Sequence, residues 1–234
     1  MFAVLIMAAG ESKRFSDPFT KKPFTLLENR PVWMHSAEHF EKRSDVKQII
    51  VVVSPDDKKM FMQKFGANVA FLELEVAEGG KERYDSVQAG LAKVRPEIEF
   101  VAVHDAARPC ICGKWIDNVF DAAKETGAAI LATPITGTVK RADGSLNIEE
   151  TVSRENLWEA QTPQVFRKTL LEEAYKNRGD FPATDDAQLV ARLGHSVKIV
   201  PCEKMNIKIT TRSDLKLAER ILPVLPKPSA LDFG

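Results

Sequence analysis

Nothing in this 234-residue sequence is long and apolar enough to suggest a membrane: there is no run of about 18 apolar residues. The opening apolar stretch is also too short, and lacks the positive flank, of a signal peptide. Cysteine is scarce. Cys110, Cys112 and Cys202 are an odd set without a Cys-x-x-Cys pair, so neither a disulfide framework nor a zinc site is indicated, and they read as packing residues. Excess charge of either sign is missing, because Lys+Arg and Asp+Glu both number 33. No global basic field therefore recommends nucleic acid as a partner, and a cytoplasmic protein is expected. Two phosphate-binding glycine patterns are absent as well. Gly80-Lys81 is followed by Glu82 and preceded at the fifth position by Glu75, which rules out a Walker loop. Ser12 and Lys13 stand where a dinucleotide fingerprint would begin its further glycines, so a nicotinamide enzyme is not expected.

What is present begins with Phe2 to Met7, an unbroken apolar run of the kind that forms a central parallel strand covered on both faces. It stops at Ala8-Ala9-Gly10, where small side chains let a ligand approach the backbone and Gly10 can take a positive φ. Lys13, Arg14, Lys21 and Lys22 follow. Cations after a small-residue turn at the carboxyl end of a strand suit a triphosphate, although a solvated basic turn would contain the same residues.

Further strand-like runs occur at Val46 to Val53, Val69 to Leu74, Phe100 to His104, Ala128 to Thr133 and Val197 to Val200. Between them lie helical patterns at Leu26 to Phe40, Asp56 to Phe65, Glu82 to Lys93 and Ile116 to Thr126, with later ones at Lys168 to Asn177, Asp185 to Leu193 and Ser213 to Leu222, the last capped by Ser213. The alternation predicts a mostly parallel sheet with helices on both faces. A single domain over 1–225 is expected, with a frayed tail at 226–234. One segment breaks the alternation. Gly137 to Arg154 places two short strand patterns around Asp143-Gly144 and reads as a β-hairpin arm over 137–154. Val139, Ile148 and Val152 on it need apolar cover, either from a second subunit or from the chain's own domain.

Two more stretches could hold a ligand. Glu78-Gly79-Gly80 runs into a helix start with Ser86 in its first turn, where backbone N–H groups can meet a base edge or an anion, although the stretch is also an ordinary helix entry. Val103-His104-Asp105-Ala106-Ala107-Arg108-Pro109 ends a strand on small residues beside charged ones, and Asp105 and Arg108 could simply pair with each other.

Met7 to Phe15 resembles the Pro-Ala-Ala-Gly-x-Gly-x-Arg-Met signature of nucleotidyltransferases. Gly79-Gly80-Lys81-Glu82-Arg83 with Ser86-Val87, and His104-Asp105-Ala106-Ala107-Arg108-Pro109, are similar to hallmarks of the 2-C-methyl-D-erythritol 4-phosphate cytidylyltransferase family. Gly137 to Arg141, Thr151 to Trp158, Gln161 to Phe166, Ala183 to Ala187 and Asn206 to Thr210 match in order, so the likeness spans nearly the whole chain. It departs from the family at Met7, Ser12, Phe15 and Pro23, and the Cβ of Ser12 narrows the phosphate loop.

The resemblance implies an α/β, Rossmann-like nucleotidyltransferase fold whose inserted hairpin is a dimerisation arm. It also implies in-line transfer of cytidylyl from CTP to a polyol phosphate, with Mg2+ bound mainly through the CTP phosphates. Arg14, Lys22, Arg154 and Lys208 would be catalytic. Ala8, Ala9, Gly10, Ser12, Lys13, Gly80, Lys81, Arg83, Ser86 and Ala106 would bind the nucleotide. Asp105, Arg108, Thr138, Thr162, Thr184 and Thr210 would bind the polyol phosphate, with Asp105 also nearest the metal and Thr138 and Arg154 reaching in from the neighbouring subunit. The alternatives are a ribitol 5-phosphate cytidylyltransferase, which shares the scaffold, and a catalytically silent nucleotide sensor.

Overall fold

The computed structural model describes residues 1–10, 15 and 21–226. The expectations for Ser12, Lys13 and Arg14, and for the tail beyond Pro226, lie outside the described residues. Strand β1 (Phe2–Met7) is the axis of the molecule. It pairs in parallel with β4 (Val46–Val53) on one side and with β6 (Phe100–Asp105) on the other. The seven-stranded sheet is completed by β5 (Glu75–Glu78), β7 (Ala128–Pro134), β10 (Trp158–Arg167) and β11 (Lys198–Pro201), in the order β11-β7-β10-β6-β1-β4-β5. Only β10 runs against its neighbours β6 and β7 within this sheet, so "mostly parallel" holds.

The period-2 alternation of a strand sorts β1 between two cores. Phe2, Val4 and Ile6 face α1 (Val32–Glu41), α2 (Pro55–Phe71), α4 (Gly113–Thr126) and α7 (Arg212–Ile221), while Ala3 and Leu5 face α3 (Arg83–Leu91), α5 (Lys168–Lys176) and α6 (Asp186–Arg192). The first core includes an aromatic cluster in which Trp33 lies 5.2 Å from Phe61 and 5.7 Å from Phe65, centroid to centroid. Phe24 lies 5.7 Å from Phe61. Such pairs each contribute about 1 kcal/mol beyond the area they bury. The hairpin forms as expected: β8 (Val139–Ala142) and β9 (Ile148–Val152) pair antiparallel as a sheet of their own, closed by Asp143, which accepts from the backbone N–H groups of Ser145 and Asn147. Among the described residues no helix is long and apolar enough to cross a membrane.

Three expectations are corrected, and one strand was not foreseen. The helix drawn from Leu26 starts at Val32, because β2 (Leu26–Leu27) and β3 (Arg30–Pro31) first make a small ribbon around Glu28 and Asn29, both at positive φ. The run Val69 to Leu74 is not a strand: α2 continues to Phe71, burying Val69 and leaving Phe71 84% exposed, and the strand follows at Glu75. Helix α7 is capped by Thr211, which accepts from the backbone N–H of Asp214, and not by Ser213. The Gln161 to Phe166 motif is the middle of β10, a central strand that the apolar runs did not reveal.

His104 is enclosed between β6 and β10, fully buried against Phe40. The Arg108 carbonyl, 3.2 Å from His104 Nε2, can only accept, so Nε2 carries the proton. Burial pulls the imidazole pKa down to about 3 and keeps the ring neutral, so Nδ1 is bare and accepts from the Thr162 hydroxyl at 3.1 Å, which itself accepts from the Asp105 backbone N–H at 2.9 Å. The folded pKa lies below the unfolded value of about 6.5, so the unfolded chain takes up the proton first. Stability should therefore be full above pH 6.5 and fall as the pH drops toward 3. Urea midpoints measured across that window should show the decline, which His35 and His39, also pulled down by burial, share; His104→Gln should make it shallower, and an unchanged slope in the variant would remove His104 as one of its sources.

Candidate active site

Three small-residue turns meet at the carboxyl ends of the parallel strands, the crevice where open α/β sheets take ligands. After β1 the Ala8 N–H donates to the Val52 carbonyl at 2.8 Å; after β6 the Ala106 N–H donates to the Met7 carbonyl at 3.1 Å; after β5 the Gly79 N–H donates to the Val53 carbonyl at 2.8 Å. The cleft they frame is lined by Ala9, Gly10, Lys22, Gly80, Lys81, Arg83, Ser86, Asp105 and Lys208, all expected from the sequence, and by Met7, Pro23, Glu82 and Ala107, which were not.

Gly10 serves the cleft by leaving space. Its backbone is not in the left-handed region, contrary to expectation, and a Cβ built on it would meet no atom of the described residues within 4 Å. Gly79 and Gly80 are required for the opposite reason. A Cβ would fall 2.6 Å from Ser86 Oγ at the first and 2.4 Å from Asp85 Cβ at the second. The Ser86 hydroxyl is 3.1 Å from the Gly80 N–H and 3.1 Å from the Glu82 carbonyl, so it closes the glycine turn onto the start of α3.

Lys22 enters the cleft on a short 3-10 turn, Lys22–Phe24, in which Pro23 is buried and Phe24 is anchored in the aromatic cluster. Lys21 lies outside it: its ammonium is 2.6 Å from Asp57 at the first turn of α2 and fastens the segment there. On the other wall Lys208 Nζ is 2.7 Å from Asp105 Oδ2. The Ile209 N–H donates to the Ala107 carbonyl at 2.8 Å, fixing the extended segment that holds Lys208 to the loop after β6. Burial disfavours the charged form of Asp105, but Lys208, Arg83 and Arg108 together outweigh it and keep the carboxyl well below the usual carboxylate range. Asp105 and Arg108 do approach, at 3.5 Å, yet the closer partner of Asp105 is Lys208.

The remaining expected residues lie elsewhere. Ala8 and Ala106 are buried behind the cleft wall. Arg108 turns inward and donates to the Asn206 carbonyl at 2.7 Å. Thr162 is buried and engaged with His104 and Asp105. The Thr210 hydroxyl donates to Asp214 at 2.6 Å, beside the start of α7, and Thr184 is exposed beside Gln188. Thr138 and Arg154 are exposed at the base of the hairpin, where Arg154 donates to the Thr136 carbonyl, and neither lines this chain's cleft. Sequence reasoning misses Asp186, which is fully buried against Arg83 and in the sequence is only one residue of the Ala183 to Ala187 motif. No group of three or more His, Cys, Asp or Glu side chains able to hold a metal occurs among the described residues.

Residues 2–223 match the family described as 2-C-methyl-D-erythritol 4-phosphate cytidylyltransferase. A protein of that name from Rhodopirellula baltica is 40% identical over 231 residues, covering 94% of each chain, and one from Bacillus velezensis is 41% identical over 225 residues, covering 94% of this chain and 95% of its own. The crystal structure of the 2-C-methyl-D-erythritol 4-phosphate cytidylyltransferase from Thermus thermophilus superposes with a TM-score of 0.78 at 32% identity, over 94% of this chain and 98% of that one. Matched by the family over residues 2–223, and in sequence and in fold over 94% of its length, the chain belongs to the 2-C-methyl-D-erythritol 4-phosphate cytidylyltransferase family.

Proposed function

We propose that this chain transfers the cytidylyl group of CTP to 2-C-methyl-D-erythritol 4-phosphate, releasing pyrophosphate and forming 4-diphosphocytidyl-2-C-methyl-D-erythritol, a step of isoprenoid precursor synthesis. The observation that carries the reading is the convergence of Lys22, Lys208 and the glycine turns on one cleft. A phosphate oxygen of the polyol phosphate attacks the α-phosphorus in line, the bond to the bridging oxygen breaks, and pyrophosphate departs with the electron pair. No protein nucleophile is required. The barrier is the approach of two anions and the charge on the pentacoordinate phosphorus, so fixed cations are what the site must supply.

Lys22 acts on the triphosphate side, and the family motif assigns Arg14 the same task. Lys208, steadied by Asp105, receives the incoming phosphate. Gly10 leaves room for the cytidine, and the turn at Gly79 and Gly80 packs against the start of α3 to form the wall beside it. Magnesium fits this cleft as a passenger of the nucleotide, because Asp105 is the one expected metal carboxylate and no group of three or more His, Cys, Asp or Glu side chains able to hold a metal stands around it among the described residues. When bound, it would offset charge on the triphosphate oxygens. We also place the enzyme in the cytoplasm, a reading supported by three buried, unpaired cysteine thiols.

The hairpin supports a homodimer. Leu146 is 86% exposed and Ile148 66% exposed on an arm that has no cover from its own sheet. A second copy would bury these residues and bring Thr138 and Arg154 to the partner's cleft.

Lys22→Ala should lower CTP-dependent pyrophosphate release at least about a hundredfold while CTP still binds. Turnover within about threefold of the parent would take Lys22 out of the mechanism. Gly10→Val should fold with the parent's melting midpoint, since its added Cβ meets no described atom, and should lose CTP binding by calorimetry; parental affinity would remove this loop from the nucleotide site. Lys22→Ala and Arg154→Ala should each be nearly inactive alone. After co-refolding they should regain up to about a quarter of parental activity, because about half the dimers are mixed and each mixed dimer has one intact site of two. A monomeric mass, or mixed dimers without recovery, would return each site to a single chain.

A further inference from the structure

Asp186, the first residue of α6, is a fully buried carboxylate. Both of its oxygens are taken: Arg83 NH2 lies 2.6 Å from Oδ2, and the Tyr175 hydroxyl donates to Oδ1 at 2.6 Å. The backbone N–H groups of Asp186 and Ala187 both donate to Gln164 Oε1 at 3.1 Å, which ties the start of α6 to β10. The carboxylate therefore has little freedom to move. Arg83 is different in kind: its side chain keeps 29% of its surface exposed and lines the cleft, directly after the glycine turn. One N–H of a guanidinium with five donors is spent on Asp186.

The cleft also contains a competitor for that guanidinium. Arg83 is one of the three cations that act on Asp105, together with Lys208 and Arg108. An Arg83 released from Asp186 would be drawn to Asp105 and would compete there with Lys208. We propose that Asp186, seconded by Tyr175, is a positioning residue that holds the Arg83 guanidinium on the nucleotide wall of the cleft and keeps it off Asp105. This rests on the reading of the cleft as a CTP site. A buried carboxylate whose two oxygens are fixed can orient a cation that a surface carboxylate would leave mobile.

The test is a double-mutant cycle on the full-length enzyme with CTP and 2-C-methyl-D-erythritol 4-phosphate. Asp186→Asn keeps the shape and the tyrosine contact but removes the charge; it should raise the KM for CTP about tenfold or more and lower kcat by less. Arg83→Gln should do the same, and the double variant should be no worse than Arg83→Gln alone, because the two residues act as one unit. Tyr175→Phe should move the KM for CTP a few-fold in the same direction, and it carries the cycle with Arg83→Gln if Asp186→Asn does not fold. Losses that multiply, or a lower melting midpoint with a parental KM for CTP, would overturn the proposal. A parent that binds CTP without turning it over would count against the proposed activity alone, and the same cycle would then be read in CTP dissociation constants. A parent that does not bind CTP would remove both.

Discussion

Asp105 is a negative charge that the fold encloses at the end of a central strand, and much of the surrounding structure answers the need to balance it. A carboxylate that is 8% exposed cannot rely on water, so it must be met by cations and donors brought from distant parts of the chain. Lys208 comes from the segment after β11 and Arg108 from the loop after β6, while Arg83, on the first turn of α3, acts on it through the cleft. Each is fixed by something else: Lys208 by the Ile209–Ala107 backbone bond, Arg108 by the Asn206 carbonyl, Arg83 by Asp186. The site is thus a set of cations whose positions are decided one contact away from the ligand.

The neutral His104 belongs to the same arrangement. It sits next to Asp105 in sequence, yet it is kept uncharged and used as a hydrogen-bonding strut between β6 and β10. Another cation there would share Asp105 with Lys208; a neutral ring leaves the carboxylate to the groups that line the cleft.

Where one face or both faces of a strand were continuously apolar, the fold could be read directly: β1, β4, β6 and β7 were all visible as runs of buried residues. β10 was not, because Gln161, Thr162 and Gln164 are polar and buried, satisfied by partners distant in sequence that no local pattern displays. The end of α2 was misread for the converse reason. Val69 to Leu74 contains the β-branched and aromatic residues of a strand, but Phe71 lies on the exposed face of a helix, and only tertiary packing separates the two cases. Among site residues, the small and cationic ones announced themselves by type and spacing. Asp186 did not, since its meaning lies in an arginine about a hundred positions earlier.

β7 and β10 are adjacent and antiparallel, and their pairing continues into the backbone bond from the Ile135 N–H to the Leu157 carbonyl. Two such strands can be joined by a loop of two residues. The chain instead inserts everything between Ile135 and Leu157, including the hairpin, at a point where its two ends already meet. The insertion imposes no register on the sheet, and the cost of closing the loop it lengthens grows only slowly with length, so its length and surface can change while the seven strands and the cleft keep their geometry. What the arm can meet is in that sense written separately from how the chain folds.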